Sequence, residues 1–243
     1  MPEGSNQSAL TRVMLIAERL TTLGYMQLFY DQPSTIDVLR KTLFITDGPL
    51  ALFGTVAPLK RRFQEYIAAL SSECEAKGNP GLPLIVGVEK SGRFVEHADL
   101  IRELIPRGSV MNLTSEYINR ITGRPPGHQY GTDEFYGRRF IYRTTAGDPL
   151  VITVPPKPDV LPYEGEGAED LSSYPALRPV CEVLDRVRTR LYSNAVIPVA
   201  LAHSAASLPL GVGQSVLRLM LQKAVGLPQS IQFQQRAPFP GWK

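Results

Sequence analysis

The run Leu43-Phe44-Ile45-Thr46-Asp47-Gly48 ends a short β-rich stretch in a lone carboxylate, followed at once by glycine. Asp is depleted inside strands, so Asp47 is expected at the carboxyl end of a central strand. In open α/β sheets that edge is where ligands and metals are bound. A second run, Leu84-Ile85-Val86-Gly87-Val88, ends in Glu89-Lys90, and its unbroken apolar character fits a strand covered on both faces. A third expected strand, residues 195 to 201, leads into His203. If these strands are neighbours, Asp47, Glu89, Lys90 and His203 converge on one edge. Carboxylates held there can bind a hard divalent cation, which stabilises the attacking and leaving oxygens of phosphodiester cleavage. A lysine beside it can neutralise phosphate charge, and an imidazole can act as ligand or acid–base group. The plainer alternatives are an Asp-Gly turn, an exposed Glu-Lys pair and a core histidine.

Asp133 and Glu134 form a second acidic pair, set between Tyr130, Phe135 and Tyr136 and followed by Arg138 and Arg139. These residues read either as a hairpin-entry loop or as a patch that stacks bases and holds phosphates. Arg61 and Arg62 extend a basic run begun by Lys60, and Arg186, Arg188 and Arg190 form another. Such runs are ordinarily solvated helix faces, and here they also suit a DNA backbone. Ser204 and Ser207 lie near His203, but no Gly-x-Ser-x-Gly elbow accompanies them, so serine hydrolysis is not supported. Gly211-Val212-Gly213-Gln214-Ser215 could present amides to a phosphate. It lacks the lysine and spacing of a P-loop, which removes ATP hydrolysis.

The elements that must hold these residues read as mixed α/β. Apolar positions at i, i+3, i+4 and i+7 predict a helix over residues 8 to 29, and further helices are expected from Pro58, over 94 to 104 and over 174 to 192. Alternation of strand and helix argues for a parallel sheet, while residues 139 to 144 and 150 to 154 flank Thr145-Ala146-Gly147-Asp148 as a hairpin. The 243 residues carry a net charge of +3 and 43% hydrophobic content, an ordinary globular composition. That mild basicity permits a nucleic-acid partner without requiring one. Cys74 and Cys181 stand alone, far apart, so neither a disulfide scaffold nor a zinc–cysteine site is expected. Nothing reads as a secretory signal or a membrane span, and a soluble, cytoplasmic protein is expected.

Three segments together resemble the NurA nuclease family: Phe44-Ile45-Thr46-Asp47-Gly48-Pro49-Leu50, Val86-Gly87-Val88-Glu89-Lys90-Ser91, and Ala200-Leu201-Ala202-His203 through Pro209-Leu210-Gly211. The resemblance spans most of the chain. It implies one domain over residues 1 to 243, an RNase H-like mixed sheet flanked by helices with an inserted β-hairpin, and DNA cleavage with Mn2+ or Mg2+. It implies partnership with a HerA-like hexameric ATPase in DNA end processing or phage defence, and a homodimer. Asp47 would then be a metal ligand, Lys90 a phosphate-facing lysine and His203 the C-terminal active-site histidine, with Glu89 and Asp133 as weaker carry-overs. Family members usually carry two Asp-Gly strand ends, and this chain shows one. The opening strands are not visible before residue 8, so Asp47 corresponds to the second site. The alternative is a NurA-like subunit that docks on a motor ATPase without cutting.

Overall fold

A computed structural model describes residues 6–32, 36–125, 127, 130–189, 196–206, 220 and 223, with backbone alone for 6–10, 36 and 203–206. In chain order the elements are α1 (Asn6–Asp31), α2 (Ile36–Leu39), β1 (Leu43–Asp47), α3 (Lys60–Ala76), β2 (Leu84–Glu89), α4 (Arg93–Ile101), β3 (Ser109–Asn112), α5 (Ser115–Thr122), β4 (Arg138–Arg143), β5 (Pro149–Val154), α6 (Leu177–Val187) and α7 (Ile197–Ala206). Contacts group residues up to Ala200 into one compact unit, and residues from Leu201 onward into a second.

Among the described residues, five strands make one mixed sheet in the order β1-β2-β5-β4-β3. Only β1 and β2 run parallel. The connection between them carries α3, and a helical crossover of that length is what a parallel pair requires. The remaining neighbours are antiparallel, so the sheet is mixed, as expected, and the parallel pairing that strand–helix alternation suggested is confined to β1 and β2. A tight turn closes β4 onto β5, with Gly147 N donating to Thr144 O at 2.9 Å and Gly147 at φ 108°. A turn that short forces antiparallel pairing. The hairpin is no appendage, because β5 is the middle strand of the sheet. β1, expected to be central, is an edge strand.

Period-two alternation sends Val86, Val88, Phe140, Ile152 and Val154 to one face, where α6 packs. Helix α6 meets them with Leu177, Val180, Cys181 and Leu184. Burial pushes the Cys181 thiol up to about 12, which leaves it inert. On the opposite face, Ile85 lies under α1, α2 and α3, whose contribution includes Leu23, Met26, Leu39, Phe63, Ile67 and Leu70. Ile141 and Val151 lie under α4 and α5. Both faces of the sheet are therefore covered by helices, which explains the unbroken apolar run of β2.

The expected strand over residues 195 to 201 is helical instead. Val196 makes an isolated bridge to Arg188, and α7 begins at Ile197. Pro198 is tolerated in a first helical turn, and Ala200, Leu201, Ala202, Ala205 and Ala206 are good helix formers. The expected last helix near Ser215 lies outside the described residues, apart from the helical Met220 and Lys223. Among the described residues, no helix is long and apolar enough to cross a membrane.

Candidate active site

Parallel pairing of β1 with β2 sets Asp47 opposite Val88, and the Gly48 amide donates to the Val88 carbonyl at 2.8 Å. The chain then folds back across the sheet rather than leaving it. The Leu50 amide donates to Thr153 Oγ1 of β5 at 2.8 Å. Gly87 makes this crossing possible. A Cβ there would lie 2.4 Å from both the Gly48 carbonyl oxygen and Thr153 Oγ1, and 2.9 Å from the Leu50 nitrogen. Arg19 of α1, itself only 2% exposed, donates through Nη2 to the Pro49 carbonyl at 3.1 Å. On the far side, the Tyr136 amide donates to Leu50 O at 3.0 Å and the Leu52 amide to Glu134 O at 2.9 Å. Leu50, Ala51 and Leu52 are all buried, which accounts for the unusually apolar turn.

This packing leaves the Asp47 carboxylate half-exposed at the sheet edge. Lys90, one residue past the end of β2, brings Nζ to 2.7 Å from Asp47 Oδ2. Two of the sequence-derived candidates thus meet as an acid–lysine pair at adjacent carboxyl ends of parallel strands. The pair is accessible, at 44% exposure for Asp47 and 29% for Lys90.

Glu89 does not join them. It is 8% exposed, and both its oxygens are taken by Arg139: Nε lies 2.6 Å from Oε1 and Nη2 3.2 Å from Oε2. Arg139 also donates through Nη1 to the Tyr130 hydroxyl, and its guanidinium sits 3.9 Å over the Phe94 ring. Burial works against its charge, but Glu89 with Tyr163 and Tyr130 overrides that and raises the Arg139 pKa.

The expectation that Arg138 and Arg139 hold a DNA backbone is corrected by this geometry. Arg138 has no exposed surface and spends its donors on Asn112 Oδ1, Pro162 O, Leu113 O and Glu169 Oε1, at 2.7 to 3.2 Å. Tyr130, Phe135 and Tyr136 are likewise buried. Tyr130 and Phe135 pack on each other and on Tyr163 with centroids 5.5 to 5.6 Å apart, so they form a core cluster and offer no face to a base. Asp133 is exposed, in a turn held by Lys60 Nζ donating to the Thr132 carbonyl.

Arg61 and Arg62 stay on the surface, 85% and 83% exposed. Both pair with Glu65, at 2.9 and 3.1 Å, and the hydrogen bond from Arg61 lowers the Glu65 pKa. His203 falls within α7, and its side chain lies outside the described residues. His97 has Nε2 2.7 Å from the Tyr117 hydroxyl, and His128 lies outside the described residues.

Among the described residues, no three His, Cys, Asp or Glu side chains gather where one ion could bind them. Asp47 suits Mg2+ or Mn2+ as a hard oxygen donor. Glu89, with both oxygens committed, does not. The described residues therefore fit a divalent ion through one carboxylate. Sequence reasoning missed Arg19, Gly87 and Thr153, which shape the loop. Two of them left a signal: an arginine on the inward face of α1 beside Leu23 and Met26, and a glycine inside a buried strand, which marks a close backbone approach.

Compared with known protein families, with curated proteins and with solved structures, the chain matches none.

Proposed function

We propose that this chain is a DNA-processing subunit of the NurA type, with an RNase H-like sheet, that works with a HerA-like hexameric ATPase and cleaves phosphodiesters at the Asp47–Lys90 edge. What supports the reading is the meeting of these two side chains at the ends of parallel β1 and β2, 2.7 Å apart and open to solvent. A divalent cation held by Asp47 would supply Lewis-acid stabilisation of the reacting oxygens. The chain's own groups do the rest. Asp47 presents a carboxylate fixed in direction by the loop behind it. Lys90 moves from Asp47 to the substrate phosphate and neutralises its charge. Arg61 and Arg62, exposed at the start of α3, offer sequence-independent contacts to the backbone.

A second reading, a subunit that docks on the motor or on DNA without cutting, is favoured by the buried Glu89–Arg139 pair, which removes the other strand-end carboxylate from any metal. Cleavage of single- and double-stranded DNA with Mn2+, by the wild type, Asp47→Ala and Lys90→Ala, with and without the motor ATPase, separates the two. Metal-dependent cutting that both substitutions abolish supports the first reading. Salt-sensitive binding without cutting supports the second.

A further inference from the structure

Helix α6 does not close over β3, and a groove of about 470 Å³ remains between them. Val110 and Tyr142 form its floor, and Leu177, Cys181 and Asp185 of α6 form its wall. These three lie at i, i+4 and i+8, on one side of the helix, and span about 12 Å at the usual rise. The residues of β3 span about 13 Å at the strand rise. Helix and strand lie alongside, in opposite directions. Phe140, which pairs with Asn112, meets Tyr174 just before α6, and Tyr142, which pairs with Val110, reaches Asp185 near the helix end. The strand is the last of the sheet, and among the described residues β4 is the one strand beside it. Glu169 closes its Asn112 end, its carbonyl accepting from Asn112 Nδ2 at 2.7 Å. At the other end stands Asp185, which accepts from the Tyr142 hydroxyl at 2.6 Å and the Thr145 amide at 3.0 Å. Both donors are neutral, and among the described residues no cation pairs with this carboxylate. Arg188, three residues on, lies 3.9 Å from Asp148 instead, and Arg178 pairs with Glu182 at 3.3 Å.

We infer that this groove takes an extended segment of a separate protein, which adds a strand beside β3, apolar at alternate positions, with a lysine or arginine meeting Asp185. An edge strand is a template for pairing with another chain. In strand addition, main-chain hydrogen bonds give affinity and pockets for alternate side chains give specificity. Both requirements meet here. Val110 faces the groove, while Met111 packs on the opposite face of the sheet, so an added strand sends every second side chain over the groove. Charge complementarity selects the basic residue, because the described part of the chain supplies Asp185 with no cation of its own. It also sets the orientation. The basic residue belongs at the Ser109 end, and the apolar ones belong toward Leu171, which lines the groove and is 48% exposed. The site lies at the opposite edge of the sheet from β1 and Asp47, so it does not depend on the proposed cleavage and leaves that edge open.

Panning a random heptapeptide library on the full chain, then measuring fluorescence anisotropy of the enriched peptides, tests this. Enriched sequences are expected to alternate apolar residues and to carry one lysine or arginine. Asp185→Asn is expected to weaken binding roughly tenfold, and Leu171→Asp, at a half-exposed position, to weaken it with circular dichroism unchanged. Replacing the peptide's basic residue by glutamine is expected to weaken binding to the wild type and to leave binding to Asp185→Asn unaltered. That coupling isolates the contact between the two groups, and damage to the fold cannot produce it. Methylating the peptide's amides in one alternate phase is expected to abolish binding, and in the other phase to spare it. No enrichment on the wild type overturns the inference, as do enriched sequences without a basic residue. Equal loss from both methylation phases, or additive effects of the Asp185 and peptide substitutions, overturns it too. Full displacement of the peptide by butylamine at similar concentration would make the groove a small-amine site and overturn it, as would Asp185-dependent self-association in place of peptide binding.

Discussion

Two acid–base pairs at neighbouring strand ends have opposite characters, and burial decides which. Lys90–Asp47 lies in water, where an ion pair contributes about 0 to 1 kcal/mol. Lys90→Ala or Asp47→Ala is therefore expected to leave the urea midpoint almost unmoved while removing whatever chemistry the edge performs. Glu89–Arg139 is buried, and removing one partner strands a charge in a low-dielectric setting. Arg139→Met is expected to lower stability by about 3 to 5 kcal/mol, read from equilibrium urea unfolding. A loss below about 1 kcal/mol would mean that Glu89 is freer than its contacts indicate. One-dimensional reasoning grouped Glu89 with Asp47 because both end strands. Alternation of side chains along β2 is what separates them: Val88 faces α6, and Glu89 faces the other way, toward Arg139.

At the scale of elements, the crossing of the Asp47 loop over β2 depends on a missing side chain. Gly87→Ala would push a methyl into the Gly48 carbonyl and Thr153 Oγ1. Overpacking of this kind costs about 1 to 3 kcal/mol or more. The substitution is expected both to lower the melting temperature and to displace Asp47, so that activity falls further than stability. Thr153→Val keeps the shape but removes the acceptor for the Leu50 amide. Leaving that buried donor unpaired is expected to cost about 1 to 3 kcal/mol, visible in the same unfolding curves. Much of this frame was legible beforehand. The apolar spacing of α3 and α6 and the runs of β1, β2, β4 and β5 announce their elements through periodicity. Short β3 and α5 carry too few residues to show a period. The segment before His203 misled because Ile197, Val199 and Leu201 alternate like a strand, while Ala200 and Ala202, which favour a helix, occupy alternate positions among and after them. Strand order was not legible, since the placing of β5 beside β2 follows from tertiary pairing and leaves no local trace.

The whole molecule carries several phenols buried in its cores, and they set an alkaline limit. Burial pushes Tyr136 up to about 12 and Tyr163 up to about 12, against an unfolded value near 10. With the folded pKa raised, the folded state holds its protons longer than the unfolded state. Their stabilising contribution is thus complete below about pH 10 and is lost as pH rises toward 12. Each is worth about 3 kcal/mol at this order of magnitude. Melting temperature is expected to hold steady to about pH 10 and then fall, with the buried phenols contributing their phenolate absorbance only as the protein unfolds. The measurement that bears most directly on function is DNA cleavage with Mn2+ and the motor ATPase, comparing the wild type with Asp47→Ala at equal stability. Cutting by the wild type that vanishes in Asp47→Ala is the predicted result; no cutting by the wild type, or equal cutting by both, would contradict the placing of the active edge at Asp47 and Lys90.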